Sequence, residues 1–216
     1  RAHLLERFEL LFTPGRRIDG LWIGTIKEKD SPDLERVEEA LHLIKTYDRV
    51  RYNRLIRDLE RIWVRLLPAN VANFNPALKT CQIDVRFVRA ETTSLEQIAS
   101  AIVHEATHAR LMRCGIGYEE EMRPRVEAAC LRREVAFAAR LPNGTATREQ
   151  ATSVLTALPP DYWTNSAFRD RDRKGRAEAL RYLGFSERQI RAAFWTARMI
   201  ASLRRFTRRA RRFFRV

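Results

Sequence analysis

Three observations predict an α+β chain that is mostly helical, with a small mixed or antiparallel sheet ahead of a central helix and a helical C-terminal third. Apolar residues recur at helical spacing over most of the 216 positions. Short segments between residues 16 and 88 instead alternate apolar and polar side chains, as half-buried strands do. Hydrophobic residues make up 45% of the chain and charged residues 31%, the balance of a globular protein long enough to bury a core.

The elements follow in order. Residues 16–26, Arg-Arg-Ile-Asp-Gly-Leu-Trp-Ile-Gly-Thr-Ile, are rich in β-formers punctuated by glycine and predict a short strand or hairpin arm. Ser31-Pro32-Asp33 then supplies a cap with proline at the first helical position. Val37, Leu41, Ile44, Tyr47, Leu55 and Leu59 recur at helical spacing, predicting one long amphipathic helix from Leu34 to about residue 58. Ile62, Val64 and Leu66 alternate with charged or bulky neighbours and suit a strand, whereas the asparagine- and proline-rich stretch from Val71 to Pro76 reads as a loop. Cys81, Ile83, Val85 and Phe87 alternate with Gln82, Asp84, Arg86 and Val88, a strand over 81–88.

Thr92-Thr93-Ser94 followed by Glu96 and Gln97 forms a capping-box start for a helix from residue 95 to Met112, ending near Gly115 and Gly117. Ile98, Ile102, Ala106 and Ala109 lie on its core face, with His104, His108 and Leu111 on an adjacent face able to line a cleft. Further helices are expected from Pro124 to Leu141, stopped by Pro142-Asn143-Gly144, and from Thr147 to Leu158, ended by Pro159-Pro160. Lys174–Leu183 and Glu187 to about Arg212 complete the helical C-terminal third.

No apolar run of about eighteen residues exists to span a bilayer, and no apolar signal segment stands at the start. The three cysteines, Cys81, Cys114 and Cys130, are odd in number and widely spaced, so a disulfide scaffold is not expected and a reducing cytoplasm is the expected compartment. The net charge of +14 is uneven: residues 171–216 hold 15 Lys/Arg against 3 Asp/Glu, while residues 1–170 hold 26 against 24. The expected division is therefore a nearly neutral body, residues 1–170, and a basic amphipathic helical extension, residues 171–216.

His104-Glu105-Ala106-Thr107-His108 is an HExxH sequence, and it uses two of the four histidines in the chain. On a helix the two imidazoles lie one turn apart on one face, where they can grip one metal ion. Glu105 can then serve as general base beside it. Two protein ligands do not complete a zinc site, and no histidine follows His108. That excludes the metzincins and the histidine-completed SprT-like proteases, and it leaves a carboxylate or a thiolate as third ligand.

Glu127 lies 19 positions after His108, near the start of the next helix. Glu134 falls two turns further on, along the stripe Glu127, Cys130, Glu134, Phe137 and Leu141. A carboxylate on an apolar stripe needs a partner, which makes Glu134 an alternative ligand, an acceptor for an imidazole N–H, or one half of an arginine pair. Glu119-Glu120-Glu121 read as a solvated acidic patch, and Cys130 as a small buried hydrophobe.

An HExxH helix, a connecting loop and a glutamate on the following helix at this interval resemble the gluzincin branch of the zincin zinc metallopeptidases. The resemblance covers roughly residues 81–141. It implies zinc held by His104, His108 and Glu127, with peptide or protein as substrate. Peptide bonds would be hydrolysed by a zinc-activated water, with Glu105 as general base and Tyr118, Tyr162 or an arginine steadying the oxyanion. It also implies that the strand at 81–88 borders the cleft as an edge to which a peptide adds. Val126 stands where the best-known members often carry asparagine, Leu131 where the thermolysin-like pattern has aspartate, and Arg110 where these helices are usually apolar. The resemblance is thus to the branch, not to one family within it.

From Arg204 to Val216 there are seven arginines and no acid, interleaved with Phe206, Phe213 and Phe214. Upstream, Ile190, Phe194, Ala197, Ala201 and the neighbouring Ile200 and Leu203 form an apolar face with Trp195 beside it. Three uses are open for residues 187–216: packing on the body with solvated arginines, lying on an anionic membrane surface, or binding nucleic acid. The alternative to a peptidase is accordingly a non-proteolytic metal-binding module that docks on membrane or nucleic acid through this helix.

Overall fold

The structure, a computed structural model, describes the backbone of residues 2–26 and 31–213 and the side chains of residues 4–26, 31–159 and 161–200. It is an α+β fold, with a five-stranded mixed sheet and a helical C-terminal part.

The short strand or hairpin arm expected over 16–26 is a hairpin, β1 (Gly15–Ile18) and β2 (Leu21–Thr25), paired antiparallel. Its two-residue turn puts Asp19 at φ 48° and Gly20 at φ 88°, the positive pair that a tight hairpin turn demands. Ahead of it stands α1 (Ala2–Phe12), for which the sequence reading made no assignment. This helix meets the sheet through its acids: Glu6 reaches Arg65, Asn75 and Gln82 at 3.3, 2.9 and 3.4 Å, and Glu9 reaches Arg65 at 3.2 Å.

The long helix expected over 34–58 is two helices, α2 (Pro32–Tyr47) and α3 (Arg49–Asp58). Asp48 divides them with non-helical dihedrals, φ −146° and ψ 70°. Its backbone N–H closes α2 on the Ile44 carbonyl, while its carboxylate caps α3 by accepting from the Arg51 N–H at 3.1 Å. The apolar period continues across the break, so periodicity alone joined the two.

Strand β3 (Arg61–Arg65) is found as expected, followed by β4 (Ala72–Asn75) and β5 (Thr80–Asp84). The sheet order is β1-β2-β3-β5-β4, with β2, β3 and β5 parallel to one another and the outer strands antiparallel to their neighbours. Two expectations change here. Residues 71–76, read as loop, supply an end strand, because pairing Ala72 with Ile83 and Phe74 with Cys81 outweighs the poor strand propensity of its asparagines. The strand expected over 81–88 stops at Asp84 and lies inside the sheet, between β3 and β4. Asp84 ends it by capping the short helix α4 (Val85–Arg89), its carboxylate accepting from the Arg86 N–H at 2.7 Å.

One face of the sheet, including Ile23, Ile62, Val64, Cys81 and Ile83, packs on α2, α3 and the HExxH helix α5 (Leu95–Arg113), whose Ile98, Ile102 and Val103 are fully buried. Helix α5 opens with the expected capping box, Ser94 and Gln97 bonding each other's backbone N–H. It closes with Gly115 at φ 79°, the Ile116 N–H returning to the Leu111 carbonyl at 3.0 Å, as a Schellman cap requires.

Both ends of α5 are tied down. Arg36 of α2 donates to the Val88, Ala90 and Thr93 carbonyls that lead into it. At its far end, Arg113 pairs with buried Asp58 at 2.8 Å and Arg110 approaches the same carboxylate at 3.9 Å. Arg110, unusual for the resembled branch, thus helps to neutralise an aspartate of α3.

Helices α6 (Arg123–Ala138), α7 (Thr145–Ala157), α8 (Asn165–Tyr182) and α9 (Glu187–Phe213) follow. Helix α8 starts nine residues earlier than expected and crosses residue 170 without a break. It seats closely on the body, since a Cβ on buried Gly175 would fall 1.6 Å from the Pro68 carbonyl oxygen.

Candidate metal centre

Helix α5 presents His104 and His108 one turn apart, and α6 brings Glu127 against both. The His104 Nε2 and His108 Nε2 atoms are 3.1 Å apart. Glu127 Oε2 is 3.1 Å from His104 Nε2, and its Oε1 is 3.5 Å from His108 Nε2. One proton can bridge only one of these three approaches, whereas a cation at their centre satisfies all of them. Around zinc with bonds of about 2.0–2.1 Å, neighbouring ligand atoms of a tetrahedron stand about 3.3 Å apart, the spacing of this set. The donors present therefore fit zinc.

Glu134, seven residues along α6, does something different: its Oε1 is hydrogen-bonded to His104 Nδ1 and its Oε2 accepts from Ser100 Oγ at 2.9 Å. With Nδ1–H donated to Glu134, a neutral His104 would present its Nε2 lone pair towards Glu127 and His108. Ser100, one turn before His104 on α5, was missed in the sequence. Its only signal there was an i, i+4 relation to a histidine.

The same contacts set the charges of the site. Burial disfavours charge on His104, but hydrogen bonds to Glu127 and Glu134 outweigh it and hold the imidazole pKa well above its ordinary value. Burial would likewise raise Glu127, yet its hydrogen bonds to His104 and His108 win and hold the carboxyl well below the usual range. Glu127 is thus kept anionic, as a ligand must be. Glu105, 6% exposed, is pushed upward by burial against the opposing pull of His104 and His108.

Tyr118 donates its hydroxyl to Glu127 Oε1, and its ring stands edge-on to His108 with centroids 5.3 Å apart. Burial and the Glu127 charge hold its phenol protonated above the ordinary range. Tyr118 therefore supports Glu127 here, and of the residues expected to steady an oxyanion, Tyr162 and an arginine, Arg171, also line the cleft. Arg171 stacks on the Tyr162 ring at 3.8 Å and donates to the Tyr162 carbonyl at 2.7 Å.

Cys130, read as a buried hydrophobe, is fully buried, but its sulfur also lies within 4.8 Å of a ring nitrogen of each histidine. Burial and the charge of Glu127 push this thiol far up, so the surroundings that ionise Glu127 disfavour the thiolate. The acidic patch stays away from the metal donors: Glu119 and Glu121 are exposed, and Glu120 caps α8 at the Asn165 N–H, 2.8 Å away. Among the described residues all three cysteines are free.

The site opens into a cleft of about 730 Å³, whose walls include Ala72, Asn73 and Phe74 of β4, Glu105 of α5, and Tyr162 and Trp163 beyond α7. The cleft edge is therefore the strand that the sequence read as loop, not the strand at 81–88. No family model matches the chain, nor does any curated protein or solved structure. Its geometry has to speak for itself.

Proposed function

We propose that this protein is a zinc-dependent peptidase, with His104, His108 and Glu127 as ligands and Glu105 as general base. The observation that carries the reading is the convergence of both Nε2 atoms and the Glu127 carboxylate at 3.1–3.5 Å in a cleft that Glu105 also lines. Bound there, zinc would supply a water of lowered pKa and polarise a carbonyl oxygen. Glu105 accepts a proton from the attacking water and returns it to the leaving nitrogen. Its burial raises its basicity towards the working pH. Glu134 and Ser100 hold the His104 ring in orientation, and Tyr118 holds the Glu127 carboxylate. β4 stands last in the sheet order and lines the cleft, which suits a peptide laid beside it as an added strand.

The test is cleavage of a peptide library by the wild type and by Glu105→Gln at equal zinc occupancy. Loss of about a hundredfold or more in the variant is expected if general-base catalysis operates. Equal turnover, or a protein that binds no zinc whether or not the histidines are mutated, would end the proposal.

A second reading rests on Cys130. If its sulfur joined both histidines and Glu127, four protein ligands would close the site and zinc would be structural. The chain would then be a non-proteolytic metal-binding module, and Cys130→Ser would open the fourth position.

A further inference from the structure

Among the described side chains of helix α9, burial is confined to its start. Ile190 is 3% exposed and Phe194 half-buried, but every side chain described from Trp195 to Ile200 is exposed, with Trp195 at 63% and Ile200 at 50%. Of the apolar face read in the sequence, Ile190 and Phe194 are covered, while Ala197 and Ile200 face water. Ala201 and the aromatic-interleaved arginines from Arg204 onward lie outside the described side chains. The helical backbone continues to Phe213, about 28 Å beyond Phe194 at the usual rise per residue. Over Glu187–Phe213 it carries nine arginines and one glutamate.

This pairing of features selects a partner. A second copy of the helix would bring nine arginines against nine, which repel. A nucleic-acid duplex would take the arginines on its phosphates but leave Trp195 and Ile200 in water. An anionic lipid surface takes both, since its phosphates and carboxylates attract the arginines while the headgroup boundary buries indole and aliphatic side chains. No helix among the described residues is long and apolar enough to cross a membrane, so the contact is peripheral.

We propose that α9 docks this protein on anionic lipid membranes, with Trp195 and Ile200 entering the headgroup region and the arginines pairing with lipid headgroups. The inference does not rest on the metal site. Binding is expected to survive His104→Ala, so failure of the peptidase reading leaves it standing.

Cosedimentation of the full chain with vesicles tests it, using phosphatidylcholine alone and phosphatidylcholine with phosphatidylserine. Wild type is expected to bind the anionic vesicles, to ignore the neutral ones, and to dissociate as salt is raised. Trp195→Ser with Ile200→Ser should lower partitioning about tenfold or more, because the apolar contact is lost. Arg191→Gln should lower it about fivefold, or about 1 kcal/mol. Quenching of tryptophan fluorescence by brominated lipid should disappear in Trp195→Phe. These are exposed positions, so circular dichroism should remain unchanged. Equal vesicle binding by wild type and the double variant overturns the proposal. So does duplex DNA binding without vesicle binding, or self-association that the double variant abolishes.

Discussion

Removing the Glu134 carboxylate separates a residue that orients a ligand from one that is a ligand. Glu134 and His104 side chains are each 15% exposed, so the bond between Oε1 and Nδ1 is largely out of water. A hydrogen bond to a charged group in such a place contributes about 1.5–3 kcal/mol. Loss of the partner that orients a ligating histidine typically costs about 10–100-fold in metal affinity, or about 1.4–2.7 kcal/mol. The two estimates coincide, so Glu134→Ala is expected to weaken zinc binding by one to two orders of magnitude. Glu134→Gln keeps an acceptor oxygen without the charge and should fall between. Ser100→Ala removes one bond to the same carboxylate but leaves its contact with His104, and should cost no more than about tenfold. Competition against a chromogenic zinc chelator near neutral pH measures all four proteins. Unchanged affinity in Glu134→Ala would refute the orienting role. A loss as complete as that of His104→Ala would make Glu134 a ligand instead.

Glu127→Ala should lower zinc affinity far more than Cys130→Ser in the same assay; the reverse order would favour the closed, structural site. Asp48→Ala should destabilise the protein by about 1–3 kcal/mol in urea unfolding near neutral pH, because the carboxylate both caps α3 and pairs with Arg51 at 2.8 Å. The pKa of Asp48 is lowered: burial opposes its charge, but bonds from the Arg51 side chain and backbone outweigh it. Its contribution is therefore complete above the ordinary aspartate value of about 3.9 and fades as pH falls below it, so the gap between variant and wild type should close in acid. Gly175→Ala would ordinarily strengthen a helix by about 1 kcal/mol. Here the Cβ would meet the Pro68 carbonyl at 1.6 Å, so a lower melting temperature is expected, and a rise would mean that α8 does not seat there.

The parts legible in the sequence were those fixed by local chemistry. The capping box at Ser94 and Gln97 and the stop after Met112 each depend on residues within a turn of one another. The parts that escaped depend on distant partners. Ala72–Asn75 has no strand pattern of its own and becomes a strand because β5 lies beside it. Asp48 breaks a continuous apolar period because its own carboxylate offers a cap. Helix α1 docks through Glu6 and Glu9 while Leu4, Leu5, Phe8, Leu11 and Phe12 stay exposed, the reverse of what amphipathic periodicity predicts. In the site, HExxH and Glu127 were readable as residues, and the imidazole acceptor was among the uses open to Glu134, but choosing it and finding Ser100 required the register between two helices.

That register has a consequence for how the centre is built. On α6, Glu127 meets His104 and His108, and Glu134 meets His104 and Ser100. Partners on α5 move backward as positions on α6 move forward, so the two helices run antiparallel across the site. The seven-residue interval between the glutamates spans two turns, which keeps both carboxylates on one face of α6. His104 lies between them, one ring nitrogen towards each. The helix that carries the proposed third ligand therefore also carries the group that would aim the first. A shift of one residue between α5 and α6 would disconnect both at once. The ties on α5 from Arg36 and Arg113, both remote from the cleft, hold the helix against such a shift.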